Sequence, residues 1–165
     1  MFIIDSEQAL VEAFRPRDRP ALQPPAGVKF PLFVRDYLAW TDPSGFHVYL
    51  LFAVPRGVPT GIAFRRTQGG VHPPVGHLCD WCHTQGTSDG VGLLTADRNS
   101  KKRVGINVCF DLRCKDKLED AANRGGKSAL DASRQLLQRM GRFAEEALGI
   151  DMSGAGRNPS PAPAP

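Results

Sequence analysis

The chain has 165 residues, of which 41% are hydrophobic and 23% are charged, as in an ordinary soluble globular domain. Its formal net charge of +4 is compatible with an anionic partner, such as RNA or an acidic protein face, but does not require one. The composition excludes a membrane-spanning protein, because no stretch approaches the roughly 18 consecutive apolar residues of a span. The apolar start Met1–Ile4 is followed at once by acidic residues, so we expect no secretory signal and a cytoplasmic protein.

The first part of the chain predicts a short helix and a linker. Ser6 is a suitable N-cap for a helix over residues 6–14, in which apolar side chains fall near one face. Pro16 ends this helix, and the prolines that follow, up to Gly27, predict a linker because proline lacks a backbone donor. We assign residues 1–32 to this helix and linker.

Three short strands separated by turn residues come next and predict an antiparallel meander. They are rich in aromatic and β-branched residues, which favour strands. The three segments are Tyr37–Trp40, His47–Ala53 and Gly61–Arg65. A loop over residues 69–74 then leads to the first cysteine.

The second half of the chain predicts two more strands, two helices and a tail. The strands are residues 90–96 and 104–108. One helix is expected from Asp111 to near residue 125, and a second begins at Ser128. The second helix carries an apolar stripe on one face. The main members of this stripe are Leu130, Leu136, Leu137, Met140, Phe143, Ala144 and Ala147. Residues 151–165, rich in proline and alanine, predict a disordered tail.

All four cysteines lie in two pairs, and they are candidate ligands of one zinc ion. Cys79 and Cys82 form a C-x-x-C knuckle, while Cys109 and Cys114 fall at the end of a hairpin and in the first turn of a helix capped by Asp111. A helix N-terminus favours a thiolate, and Arg113, Lys115 and Lys117 are placed to offset the charge of zinc with four thiolates. Knuckle, hairpin and helix start follow the order of a treble-clef finger. The sequence therefore predicts an α+β fold, in which a small antiparallel sheet is joined to a treble-clef zinc finger with C-terminal helices.

Other uses of the cysteines stay open at this point. Disulfides would need an oxidising compartment, and a thioredoxin-like redox pair would need a βαβ unit around C-x-x-C. An iron–sulfur cluster is a further alternative. His77 and His83 flank the first pair, and either is a possible replacement for a cysteine ligand. Four protein ligands leave no open position on zinc, and no other group of residues suggests catalysis, so we do not expect an enzyme or a small-molecule substrate.

Four blocks of the sequence resemble the FBP domain, the treble-clef zinc-finger domain of elongation factor G-binding proteins, which also occurs in fusidic acid resistance proteins. The blocks are Tyr37–Pro43, Gly61–Arg65, Cys79–Cys82 and Cys109–Cys114. The resemblance covers roughly residues 33–150. It implies that the four cysteines are the zinc ligands.

The resemblance also implies a function in translation. Resistance members of the family use this domain to grip elongation factor G on the ribosome and to promote its release. They also carry an N-terminal helical domain, whereas here only residues 1–32 precede the FBP-like region. We therefore expect binding of elongation factor G, with a possible link to the ribosome, and no conclusion about drug resistance follows.

The expected contact surface consists of aromatic and basic side chains of the finger, because an aromatic anchor ringed by basic groups is typical of binding hot spots. Its candidate residues are Trp81, Arg98, Lys101, Lys102, Arg103 and Phe110. Each aromatic residue has the alternative of packing under the zinc site, and the basic hairpin tip has the alternative of being a solvated turn. An RNA-binding module that uses the basic hairpin, with Trp81 or Phe110 for stacking, is the alternative function.

Overall fold

The computed structural model describes residues 1–67, 76–87 and 90–154. The predicted loop over residues 69–74 and residues 155–165 of the predicted tail lie outside this part of the chain. The strands are β1 (Phe2–Ile4), β2 (Leu32–Val34), β3 (Tyr37–Thr41), β4 (His47–Phe52), β5 (Thr60–Arg66), β6 (His77–Leu78), β7 (Gln85–Gly86), β8 (Val91–Asp97) and β9 (Arg103–Cys109). The helices are α1 (Glu7–Glu12), α2 (Cys114–Arg124) and α3 (Ala129–Arg142), with a 3-10 turn at Arg19–Ala21 and a π-helical turn at Phe143–Ala147.

A five-stranded antiparallel sheet forms the centre of the fold, in the order β3–β4–β5–β8–β9. All five strands of this sheet were predicted from the sequence, and the α+β fold class is confirmed. The short pairs β1–β2 and β6–β7 form two further sheets that the sequence did not predict. Strands β3–β5 form one antiparallel unit and β8–β9 form a hairpin, and the two units join where Arg65 and Arg66 pair with Thr95 and Leu94.

Side chains of β4 are buried on both faces of the sheet, which is unusual for a strand in an antiparallel sheet. Val48, Leu50 and Phe52 point into a cluster that we call the inner cluster; it also contains the four cysteines and the buried face of α3. Tyr49 and Leu51 point to the opposite face, into the outer cluster. The outer cluster consists of Ile4, Leu10, Ala13, Phe14, Tyr49 and Leu51.

The outer cluster is built by the first residues of the chain. The Ser6 hydroxyl caps α1 by accepting a hydrogen bond from the Ala9 amide at 3.1 Å, as predicted. Strand β1 pairs with β2, which ties the start of the chain to the segment just before the sheet. Phe14 then packs on Gly61, where a Cβ atom would lie 2.5 Å from the ring. Residues 1–32 therefore form one face of the folded body.

A buried carboxylate shapes the turn between β3 and β4. Asp42 accepts hydrogen bonds from the His47 amide at 3.2 Å and from the Ser44 hydroxyl at 2.8 Å, and its second oxygen lies 2.9 Å from His47 Nδ1. Burial alone would raise the pKa of Asp42, but the hydrogen bonds from His47 and Ser44 outweigh it and lower the pKa to about 2. The aspartate of the Trp-Thr-Asp-Pro block is thus a turn-forming residue.

Two details of the helices differ from the sequence prediction. Helix α2 begins at Cys114, and Arg113, rather than Asp111, is its N-cap, because Leu112 has a positive φ of 49° that is incompatible with a helix. Helix α3 is capped by the Ser128 hydroxyl as predicted. Leu130, however, is 56% exposed, since it lies in the first turn of α3, outside the inner cluster.

Among the described helices, none combines the length and hydropathy that crossing a bilayer requires.

Candidate metal centre

Two turns bring the cysteines together. Cys79 and Cys82 lie in the knuckle between β6 and β7, which is closed by hydrogen bonds from the Cys79 amide to the Thr84 carbonyl at 3.0 Å and from the His83 amide to the Cys79 carbonyl at 2.8 Å. Cys109 ends β9, and Cys114 begins α2. The knuckle is held to the sheet because Asp80 and Asn107 exchange two hydrogen bonds, at 2.8 and 3.1 Å. This arrangement is the predicted order of knuckle, hairpin and helix start.

The spacing of the sulfur atoms fits a tetrahedral zinc site. All four Sγ atoms lie within 4.8 Å of one another. The Sγ atoms of Cys79 and Cys114 are 3.7 Å apart, and those of Cys82 and Cys109 are 3.5 Å apart. Zinc–sulfur bonds of about 2.3 Å place the sulfurs of a tetrahedral site about 3.8 Å apart. A disulfide requires about 2.05 Å, so the cysteines are free thiols rather than two local disulfides.

The site is closed to solvent. All four cysteines are buried, and neither His77 nor His83 belongs to the metal-binding group found among the described residues. The Cys82 amide donates a hydrogen bond to Cys79 Sγ at 3.4 Å, and the Thr84 hydroxyl lies 3.3 Å from Cys82 Sγ. Such contacts stabilise thiolates in structural zinc sites. A buried group of four ligands has no position for an exchangeable water or a substrate.

Neighbouring sulfurs shift the pKa values of the thiols in opposite directions. Hydrogen bonds with Cys109 and Cys114 lower the pKa of Cys82. Contacts with Cys109, Cys79 and Cys82, together with burial, raise the pKa of Cys114. Four thiolates at this spacing repel one another unless a cation lies between them. Soft sulfur donors in a tetrahedral group are the ligands that zinc prefers, so the residues fit this metal.

One of the three expected basic neighbours lies close to the sulfurs. Burial alone would lower the pKa of Lys117, but its hydrogen bond with Cys109 and the charges of Cys109 and Asp111 raise it. Arg113 instead pairs with Asp116 at 2.8 Å. Lys115 pairs at 2.6 Å with Asp36, which lies just before β3. Lys117 also pairs with Asp111 at 3.3 Å, so its charge is shared between this carboxylate and the Cys109 sulfur.

A family model described as the FBP C-terminal treble-clef zinc-finger matches residues 7–150 of the chain. The chain belongs to this family. The match begins well before residue 33, so it includes most of the N-terminal segment that forms the outer cluster. Together with the sulfur geometry, membership of the FBP family assigns one structural zinc ion to this protein.

A solved structure of the fusidic acid resistance protein FusC is similar to this FBP-family protein, with 16% sequence identity and a TM-score of 0.49. The match covers 86% of the present chain and 58% of the FusC chain, so the protein spans little more than half the length of FusC. No curated protein sequence is similar enough to match the chain.

The structure corrects the expected exposure of Trp81. Its side chain is 1% exposed, because the knuckle turns it into the inner cluster. The indole packs edge-on against Phe64 at 6.0 Å and Phe143 at 6.3 Å between ring centroids. Arg139 of α3 donates a hydrogen bond to the Trp81 carbonyl at 2.5 Å. Trp81 thus joins the knuckle to the sheet and to α3 and offers no surface to a partner.

Phe110 is half-buried at the end of the inner face of the sheet. The Arg66 guanidinium lies 4.2 Å above its ring, and a Cβ atom at Gly92 would be 2.6 Å from its ring edge. One face of the ring is therefore covered by a cation, and its edge rests on the glycine. Phe110 is less available for stacking on a base than the sequence suggested.

The residues of the hairpin tip have different roles. Arg98 donates hydrogen bonds at 2.8 Å to the carbonyls of Glu146 and Ala147, and so caps the end of the last helical segment. Arg103 pairs with Asp97 at 2.9 Å and keeps half of its side chain exposed. The other two tip cations, Lys101 and Lys102, are exposed. Contact of Lys101, Lys102 and Arg103 with a partner stays a prediction.

Two residues that position the finger and its hairpin were not singled out from the sequence. The Tyr37 hydroxyl donates to the Leu112 carbonyl and accepts a hydrogen bond from the Lys115 amide at 3.1 Å, which links β3 to the start of α2. Arg15 donates to the carbonyl of Asp97 at 2.6 Å, at the base of the hairpin tip. Each contact joins residues more than 70 positions apart, so no local pattern indicates it.

Proposed function

We propose that this protein is a zinc-finger adaptor that binds elongation factor G and acts in translation, without catalytic activity of its own. The observation that carries the proposal is membership of the FBP family over residues 7–150, combined with the four sequence blocks that resemble elongation factor G-binding proteins. In this proposal the zinc ion stabilises the finger, and the surrounding surface makes the contact.

The absence of catalysis is proposed from the chemistry of the site. Catalytic zinc keeps one position for water or substrate, whereas four buried cysteines occupy all positions of a tetrahedral ion. X-ray absorption at the zinc edge tests this point. We expect four sulfur neighbours at about 2.3 Å and no oxygen neighbour. An oxygen neighbour that exchanges with solvent would contradict the proposal of a purely structural site.

The alternative of an RNA-binding module loses part of its support. It relied on Trp81 or Phe110 as a stacking residue, since stacked aromatic side chains carry much of the affinity for single-stranded RNA. Trp81 is buried, and one face of Phe110 is covered by Arg66. Lys101 and Lys102 alone offer phosphate contacts but no stacking platform.

Binding to purified elongation factor G, with and without RNase, is the experiment that tests the function. We expect the zinc-loaded protein to retain the factor in a pull-down and to do so equally after RNase treatment. Elongation factor Tu serves as the control, because it is also a nucleotide-binding translation factor but is not the proposed partner. Loss of binding after RNase would favour the RNA alternative, and no retention in either condition would refute the proposal.

A further inference from the structure

The face of the sheet that carries Tyr49 and Leu51 is covered over only part of its width. The outer cluster covers β4, and Phe14 covers Gly61 on β5. On β8 and β9 the side chains of Leu94, Ala96 and Ile106 belong to the inner cluster. Because neighbouring side chains alternate between faces, the residues between them point outward. We call this outward surface the open face; it consists of Arg65, Leu93, Thr95, Asp97, Arg103, Gly105 and Asn107.

Leu93 forms a flat apolar centre in the open face. It is 47% exposed, although Leu94 beside it is fully buried, so its exposure follows from strand alternation within a regular, paired strand. A Cβ atom at Gly105 would lie 2.7 Å from Leu93 Cδ1, which means that the leucine lies across the glycine. A larger residue at position 105 would displace it. In the described part of the chain, this side chain is therefore a large apolar group left accessible on the sheet.

Positive charge lies on one side of this apolar centre, around Asp97. Arg65 and Arg103 lie 3.4 and 2.9 Å from the two oxygens of the same carboxylate, that of Asp97. Two guanidinium groups and one carboxylate leave one positive charge unbalanced. Both arginine side chains are about half exposed, at 53% and 52%. Lys101 and Lys102 add two exposed charges at the hairpin tip.

We propose that the open face, together with Lys101 and Lys102, is the surface through which this protein contacts elongation factor G, and that the factor presents carboxylates beside an apolar contact there. This inference rests on the proposed function and adds the location and chemistry of the interface. An exposed apolar side chain beside half-exposed arginines suits a protein–protein interface, where arginine is enriched. Charge complementarity makes the matching surface acidic.

The same surface does not suit single-stranded RNA. Aromatic side chains are the main stacking platforms for bases, and the open face contains none. The most accessible apolar side chain of the open face, Leu93, is aliphatic, and ion pairs with Asp97 hold Arg65 and Arg103 in place. The composition of the face therefore favours an acidic protein surface over a nucleic acid.

Two substitutions in the open face and two matched controls test the inference. Leu93→Asp places a negative charge in the apolar centre, and Arg65→Glu reverses a charge beside that centre. Leu130→Asp and Arg134→Glu make the same changes on α3, at a leucine that is 56% exposed and an arginine side chain that is 62% exposed. Dissociation constants are measured with purified, nucleic-acid-free elongation factor G, and zinc content and thermal unfolding verify that each variant is folded.

We expect Leu93→Asp and Arg65→Glu each to weaken binding about tenfold or more, the size of a hot-spot substitution, while the controls change it less than about threefold. Equal binding by the wild type and both open-face variants would overturn the inference and leave the proposed function intact. No binding by the wild type would overturn both. Binding of a single-stranded RNA oligonucleotide that is lost in the open-face variants, without binding of the factor, would replace the inference with an RNA surface.

If either open-face variant fails to fold, Thr95→Arg and Lys101→Glu give the same test, because both side chains are at least partly exposed. The bulky Thr95→Arg substitution should block close approach of the factor, and Lys101→Glu should weaken the electrostatic contact. Unchanged binding by both would also overturn the inference.

Discussion

Trp81 is the residue whose role differs most between sequence and structure. Its indole is enclosed by Phe64, Phe143 and the knuckle, and its Nε1 atom has no hydrogen-bond partner among the described residues. A buried N–H group without a partner costs about 1–3 kcal/mol. The packing of Trp81 must outweigh this cost, so the residue stabilises the fold mainly through apolar and aromatic contacts.

We predict that Trp81→Ala lowers the free energy of unfolding by about 3–5 kcal/mol, because it leaves a large cavity between the knuckle and α3. Trp81→Phe should cost about 2 kcal/mol or less, because it keeps an aromatic ring and removes the unpartnered N–H group. Urea unfolding measures both values. Equal losses in the two variants would contradict the dominant contribution of aromatic packing.

At the scale of elements, two tyrosine hydroxyls fasten different parts to the sheet. Tyr37 joins β3 to the start of α2, as described above. Tyr49, on β4, donates to the Ala21 carbonyl at 2.7 Å and so holds the 3-10 turn of the N-terminal segment. Burial raises the pKa of both hydroxyls, so each is a neutral donor at neutral pH.

We predict that Tyr37→Phe and Tyr49→Phe each lower the free energy of unfolding by about 1–2 kcal/mol but loosen different regions. Tyr37→Phe leaves the Leu112 carbonyl without its donor and should speed amide exchange near the start of α2. Tyr49→Phe should speed exchange around residues 19–22. Hydrogen exchange read by mass spectrometry separates the two. The same exchange pattern in both variants would contradict these separate roles.

Arg98 links the hairpin tip to the end of the last helical segment. We predict that Arg98→Ala lowers the free energy of unfolding by about 1–2 kcal/mol, because two carbonyls lose a charged donor, while binding of elongation factor G changes little. Lys101→Ala, a truncation of an exposed neighbour, should leave stability unchanged. Thermal unfolding and the binding assay measure the two effects. A large loss of binding in a stable Arg98→Ala protein would return this residue to the contact surface.

Local signals in the sequence predicted the elements, and long-range contacts decided their roles. Ser6 and Ser128 were recognisable caps, and the cysteine pairs specified the metal site, because each signal lies within a few residues. The exposure of Trp81 was not predictable, since a knuckle residue faces outward or inward depending on what packs beneath it. The strand pair β1–β2 escaped notice because three residues give too short a pattern.

At the scale of the whole molecule, the zinc site and the N-terminal segment share one sheet. Alternate side chains of β4 enter the inner and outer clusters, so neither cluster can loosen without disturbing that strand. The two tryptophans of the chain lie on opposite sides of it, Trp81 in the inner cluster and Trp40 packed against the outer one. The fluorescence of each tryptophan therefore reports on the folding of one side of the sheet.

We predict that removing zinc with a chelator, or replacing Cys114 with serine, lowers the unfolding midpoints of both sides together, since structural zinc supplies folding free energy. Tryptophan fluorescence of Trp40→Phe and Trp81→Phe variants, each retaining one tryptophan, measures the two midpoints. Ala96→Ser is the control, because it places a hydroxyl in the same cluster without removing a ligand and should keep the zinc. If the Trp40 signal kept its midpoint after zinc removal, the two sides would be independent units.

The contacts of Arg15 and Arg98 with the hairpin tip also determine where the chain tolerates inserted residues. Arg15 holds the base of the tip, and Arg98 extends from it to the last helical segment. Extra residues between Asn99 and Lys102 would break the hydrogen bonds from the Lys101 and Lys102 amides to Asn99 that form the turn beside these contacts. The turn at Gly125–Gly126 is exposed and joins only α2 to α3. We therefore expect the turn at Gly125–Gly126 to tolerate an inserted affinity tag or fluorescent label better than the hairpin tip, although the polar composition of the tip suggests the opposite.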